Sequence, residues 1–277
     1  MHVVEFSAYL LIVSYCAGLL GSLTGLGGGV VLVPALALLF NVELHYAMGA
    51  SLISVIATSS GAAAAFVREG YTNLRIGMFL EVAAVVGAVV GALLASMLNE
   101  HVIAVVFGVM LLSSSLSFRR TEEREGDRPS HPWAVKLHME GTYCTSAGEL
   151  PYRVQHVPVG LGLMGLAGAL SGLLGIGSGA LKVLAMDQAM RLPYKVSTAT
   201  SNFVIGITAA ASAGIYFTRG YVDPGLTMPV MLGVLVGSLT GARLMVGAKS
   251  QVLRVLFRLA ILGLAFEMVY QGITGKL

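Results

Sequence analysis

The chain has 277 residues, of which 56% are hydrophobic and 11% charged, with a mean hydropathy of +0.82 and a formal net charge of +3. A soluble domain carries about 25% charged residues, so this chain cannot cover a water-facing surface of its size. The composition excludes a soluble enzyme, a nucleic-acid-binding protein and a disordered chain, and fits a protein immersed in a lipid bilayer.

The first apolar run covers about 7–24. Met1–Ser7 holds no Lys or Arg, so the run reads as a retained membrane segment and not as a cleaved leader. Further runs fall at about 28–40, 44–66, 76–97 and 101–118. After a polar stretch they resume at about 157–174, 179–190, 196–217, 225–247 and 252–273. Most reach the roughly 20 residues that a membrane-spanning helix needs. The two short ones, 28–40 and 179–190, each follow a glycine cluster: Gly25, Gly27, Gly28 and Gly29 in one case, Gly175, Gly177 and Gly179 with Ser178 in the other.

The polar stretch, 119–157, holds a charge run from Arg119 to Arg128, read as a solvated linker. Alternation over Trp133–Met139 and Pro151–Val157, around a turn-rich Tyr143–Gly148, predicts a small β-hairpin. His131, His138, Cys144 and His156 match no standard zinc spacing, and a plain cytoplasmic cap is the preferred reading. Cys16 and Cys144 form no disulfide framework.

A shift of 150 residues superposes the two halves without a gap from Gly18 to Leu112. Gly25, Gly27 and Gly29 fall on Gly175, Gly177 and Gly179. Ser51 falls on Ser201, Thr58 on Thr208, and Gly70-Tyr71 on Gly220-Tyr221. Gly87 and Gly91 fall on Gly237 and Gly241, in two Gly-x-x-x-Gly pairs suited to close helix contact. Scattered apolar matches would not align these glycines, so the chain reads as an internal repeat. The expected organisation is a first membrane repeat at 1–118, a linker at 119–157 and a second repeat at 158–277. With five segments per half, or three if each short pair is a re-entrant hairpin, the parity is odd. The halves should then lie inverted in the membrane, as in many secondary transporters.

Lys and Arg fix the orientation. The turns at 67–75, 119–157, 190–196 and 248–251 carry them from Arg68 to Lys249, while the opposite face holds Arg219 and Lys276. The central stretch is therefore placed in the cytoplasm and both termini outside.

Three constellations are candidates for a site. A helix broken at a glycine turn leaves free backbone N–H groups at the start of its second piece, and these attract anions. Two such breaks at matched positions suggest one midplane site, against the plainer reading of close packing. Ser51, Ser54 and Thr58 share one helix face, and Thr198, Thr200, Ser201, Asn202 and Thr208 lie on the matching helix. Their hydroxyls and amide suit oxyanion oxygens, or alternatively bond back to helix carbonyls. Lys182 stands where the first half has Leu32. It reads as an attractor of anions, or as a group that loses a proton cheaply when desolvated. Glu81 and Arg243 read as structural ion-pair members, Arg243 alternatively as a substrate contact, Asp187 as a structural partner, and Glu267 as a second proton carrier.

There is no Walker A loop, GxSxG elbow or HExxH, so no ATP motor or common hydrolase site is encoded. No enzyme activity, cofactor or metal is expected.

The run from Gly18 to Pro34 (GLLGSLTGLGGGVVLVP), followed by Ala47–Leu52 (AMGASL), resembles the first half of the TauE/SafE sulfite-exporter family. Gly172–Gly179 (GLLGIGSG), followed by Lys195–Asn202 (KVSTATSN), resembles its second half. The resemblance implies an inner-membrane permease that exports sulfur-containing anions such as sulfite, thiosulfate or organosulfonates by alternating access, with protons as a candidate coupling ion. A homo-oligomer is compatible with it. A cation or metal permease built on Glu81, Asp187 and Glu267 is the alternative, followed by a membrane scaffold.

Overall fold

The structure, a computed structural model, describes residues 3–24, 28–68, 72–117, 129–145, 148–245 and 250–274. It is a mainly helical membrane architecture with a small cap that holds a short helix and two strands. The first half holds α1 (Val3–Thr24), α2 (Gly29–Phe40), α3 (Leu44–Arg68), α4 (Leu74–Ala95) and α5 (Glu100–Ser117). The cap holds a short helix, α6 (Pro132–Lys136), and the strands β1 (Gly141–Thr145) and β2 (Gly148–Tyr152). The second half holds α7 (Val157–Leu174), α8 (Gly179–Leu184) running on into a π-helical turn (Ala185–Ala189), α9 (Tyr194–Thr218), α10 (Pro224–Met245) and α11 (Ser250–Thr274).

Helices α9 and α10 begin and end 150 positions after α3 and α4, so the periodicity of the sequence is also a periodicity of helix boundaries. The packing follows the same exchange. Helix α1 packs on α10 as α7 packs on α4, and α3 and α5 each pack on their own counterparts, α9 and α11. The glycine pairs explain how closely. A Cβ at Gly91 would fall on the Ala169 carbonyl, and one at Gly237 on the Tyr15 carbonyl. Side chains larger than hydrogen at these points would force the backbones of the two halves apart.

Four helices among the described residues are long and apolar enough to cross a bilayer: Leu74–Ala95, Val157–Leu174, Tyr194–Thr218 and Pro224–Gly241. Their outer faces are apolar as well. Met78, Val82, Val86 and Val90 form an exposed stripe along α4, and Met228, Leu232 and Val236 form its counterpart on α10. Val82 is 68% exposed, which is at home against lipid tails and costly in water.

Each glycine-linked pair of helices is a hairpin. In the first half the start of α1 returns to the end of α2, where the Phe6 and Phe40 rings meet edge to face at 5.6 Å. In the second half the Gln155 N–H, just before α7, donates to the Met190 carbonyl at 3.0 Å, just after the π turn. The second hairpin opens toward the cap. The first opens toward the end where His45 of α3 donates to the Ala95 carbonyl at 3.2 Å and stacks on Tyr221 at 4.8 Å.

The cap is held at the start of α4. Asn73 caps that helix by accepting from the Ile76 N–H, and its amide donates to the Tyr152 hydroxyl at 2.7 Å and the Met139 carbonyl at 2.9 Å. Arg75 donates to the His138 carbonyl at 3.0 Å. Burial pushes the Tyr152 phenol above its ordinary value, partly opposed by the Asn73 hydrogen bond. The hairpin lies elsewhere than its alternation predicts. Trp133–Lys136 is helical, because Pro132 presets the first turn and the His131 ring accepts from the Trp133 N–H. The strands are Gly141–Thr145 and Gly148–Tyr152, paired antiparallel, with Tyr143 opposite Leu150.

Candidate functional site

The tips of the two hairpins meet inside the bundle. A Cβ at Gly29 would lie 3.1 Å from the Ile176 backbone and 2.7 Å from Ser51 Oγ, so only glycine allows the first tip to touch the second. The second tip is built from left-handed residues: Gly175 at φ +67°, Gly177 at φ +73° and Ser178 at φ +43°. Gly177 is wedged between Ile205 of α9 and Val55 of α3, where a Cβ would come within 3.0 Å of both. Ser178 donates to the Ala167 carbonyl, tying the turn back to α7. Ser201 donates to the Gly179 carbonyl at 3.2 Å.

Ser51, the repeat partner of Ser201, is fully buried, and its Oγ has no hydrogen-bond partner. An unsatisfied buried hydroxyl costs about 1–3 kcal/mol. It lies beside Gly29, where the two tips touch.

Of the residues singled out by sequence, Gly28, Gly29, Ser51, Gly175, Gly177, Ser178, Gly179 and Ser201 gather at the tips. Gly25 and Gly27 lie outside the described residues. Ser54 and Thr58 bond back to the Ala50 and Val55 carbonyls of their own helix. Thr200 accepts from the Asn73 N–H at 3.1 Å, nearer the cap, and Asn202 takes part through its carbonyl, which accepts from Ser59.

Lys182 and Thr208 form a separate polar knot with Glu81. Lys182 Nζ lies 3.2 Å from Glu81 Oε2 and also donates to Thr208 Oγ1, and the Thr208 hydroxyl donates to Glu81 Oε1. Lys182 and Thr208 are fully buried and Glu81 is 4% exposed. Ser201, Ile205 and Thr208 lie on one face of α9, so this face carries both the tip contacts and the knot. Nothing in the local sequence joins Glu81 to Lys182. A signal was present: their repeat partners are Met231 and Leu32, so both charges break the repeat in the same way. The side chain of Arg243 lies outside the described residues. Asp187 is buried in the π turn. Glu267 is on an exposed part of α11, where Gln271 donates to it at 3.0 Å.

The fold and the paired tips define a helical membrane protein built as two related halves around a central contact. Residues 10–268 match the profile of the family described as Sulfite exporter TauE/SafE, and the chain belongs to that family. Relatives include the probable membrane transporter protein YunE of Bacillus subtilis, 27% identical over 95% of this chain and 97% of its own length. Another is YdhB of the same organism, also described as a probable membrane transporter protein, 29% identical over 84% of this chain and 88% of its own length. MJ0441 of Methanocaldococcus jannaschii, with the same description, is 23% identical over 85% of each chain. No solved structure matches the chain.

Proposed function

We propose that this protein is a secondary transporter of sulfur-containing oxyanions such as sulfite, thiosulfate or organosulfonates, with protons as the coupling ion. The observation that carries the reading is the orphaned Ser51 hydroxyl at the meeting point of two glycine tips. First-turn N–H groups of α2 and α8, with the Ser51 and Ser201 hydroxyls, suit an oxyanion. The family description supports a sulfur oxyanion, and the relatives' descriptions support transport.

The two halves, 1–118 and 158–277, act as inverted repeats joined by the cytoplasmic segment 119–157, with both termini outside. Hairpins that open at opposite ends and touch at their tips support that arrangement. In this reading each hairpin is re-entrant, and rocking of one half against the other opens the tips to each side in turn. The cation-permease alternative is disfavoured, because Glu81 is engaged by Lys182 and Glu267 sits on an exposed surface.

The test is flux of radiolabelled sulfite, thiosulfate and isethionate in proteoliposomes, with and without a proton gradient. Flux of at least one of them that is slowed severalfold by Ser178→Leu is the expected result. No flux of any of the three would sink the reading.

A further inference from the structure

We propose that Glu81 is the proton-binding group that couples transport, and that its protonation hands Lys182 over to the anion. This rests on the transport reading above and adds the coupling residue and the charge class of the substrate.

The knot joins the two halves. Glu81 comes from α4 of the first half, Lys182 and Thr208 from α8 and α9 of the second. The matching place in the other half has Met231, Leu32 and Thr58, so the scaffold does not need the charges there. Lys182 lies three residues beyond Gly179, on the returning arm of the second hairpin and directly before the π turn. Any rearrangement of that arm moves the ammonium relative to Glu81.

Among the described residues few other charges face the pair, and α5, packed on α8, carries Glu100 and His101 only in its first turn. Helix α7, packed on α4, carries no titratable side chain. Helix α9 carries Tyr194, Lys195 and Tyr216, all in its first or last turn. On α4 itself Arg75 is at the cap, bonded to His138. Asp187 lies one turn beyond Lys182 in the π turn. Lys182 and Thr208 are thus the polar groups within hydrogen-bond reach of Glu81.

The exchange balances. In the empty state the carboxylate and the ammonium sum to zero charge. An anion that takes the Lys182 ammonium leaves a buried carboxylate unpaired, and such a group takes up a proton. A proton from the aqueous phase then joins Glu81 as the Lys182 contact breaks. The loaded site holds a neutral carboxyl, the ammonium and the anion. It returns to zero charge when the anion is monovalent, as a sulfonate is. Thr208 fits both states. Its hydroxyl donates to ionised Glu81, and when the carboxyl is protonated it can accept instead. Its own hydrogen then turns to the Val204 carbonyl, which already lies at 3.3 Å. The proton adds no unsatisfied group.

The experiment uses the full chain in detergent micelles, weakly buffered with an indicator dye, and isethionate as probe. This sulfonate carries one charge and does not itself titrate near neutral pH. Wild type should take up about one proton per anion bound, and its affinity should fall up to about tenfold per unit of rising pH once Glu81 is ionised, as linkage requires. Glu81→Gln should bind isethionate with no proton uptake and with an affinity that does not vary with pH. Wild type that binds isethionate without taking up protons overturns the proposal, and so does proton uptake retained in Glu81→Gln. Failure of wild type to bind isethionate, sulfite or thiosulfate removes the transport reading itself, and this proposal with it. If Glu81→Gln does not fold, the infrared carbonyl band of wild type decides. A protonated-carboxyl band that appears on adding isethionate supports the proposal, and no change in that region refutes it.

Discussion

The two halves share the boundaries of two helix pairs, their packing partners and their glycine turns, yet differ in what they bury. The second hairpin places Lys182 against Glu81 and Thr208, while the first places Leu32 at the matching position, with Met231 and Thr58 as the matching partners. A repeat conserves a shape through its small residues. It does not require the same chemistry on both sides. The symmetric parts of the molecule carry the shared helix packing, and the asymmetric part carries the buried charges.

Lys182→Met breaks this comparison most sharply. It leaves a buried carboxylate without its partner and should cost about 3–5 kcal/mol. Leu32→Met, the same residue at the matched site, conserves volume and should cost less than about 1.5 kcal/mol. Chemical unfolding in micelles, followed by circular dichroism, measures both. Equal losses in the two halves would mean that the ion pair is not what distinguishes them.

Next in size are the close helix contacts, where the halves should behave alike. Gly87→Val and Gly237→Val, matched positions of the repeat, each push a side chain into a carbonyl of the partner helix and should cost about 1–3 kcal/mol by overpacking. The two losses should agree, because α4 on α7 and α10 on α1 are equivalent contacts.

A smaller effect separates conformation from packing at two glycines of similar backbone. Gly177 and Gly220 have φ of +73° and +77°, but only Gly177 is enclosed. Gly220→Ala should show the left-handed cost alone, about 1–2 kcal/mol. Gly177→Ala should exceed it and should also slow transport, since Ile205 and Val55 must move.

The smallest effect is at the cap, which has no counterpart in the first half. Tyr152→Phe removes one hydrogen bond to Asn73 and should cost about 0.5–1.5 kcal/mol. The Tyr152 phenol is raised above its ordinary value, 10.0, so the folded state holds the proton more tightly than the unfolded state does. Its contribution is complete below that value and is lost as pH rises through the folded one. Wild type should therefore lose more stability than Tyr152→Phe in alkaline titration.

The membrane class, the helix boundaries and the internal period were readable from the sequence because hydropathy and glycine act locally. Gly29 and Gly177 were likewise readable as turn residues from their clusters. Their meeting was not, because it depends on hairpins opening at opposite ends, which no local signal encodes. The Glu81–Lys182 pair was illegible for a related reason: its members are 101 residues apart and lie in different halves. Only their shared departure from the repeat pointed to it. The cap misled by its alternation, since Trp133–Lys136 is too short for periodicity to separate helix from strand, and Pro132 with His131 decided the matter.

The direct test of the central claim is protection at Ser51. In protein with Cys16 and Cys144 replaced by serine, Ser51→Cys is reconstituted in vesicles and alkylated with a maleimide, with and without isethionate. An anion held between the hairpin tips should slow alkylation severalfold, at concentrations that also saturate its transport. Alkylation at one unchanged rate, while the same vesicles transport the anion, would place the substrate elsewhere and contradict the account.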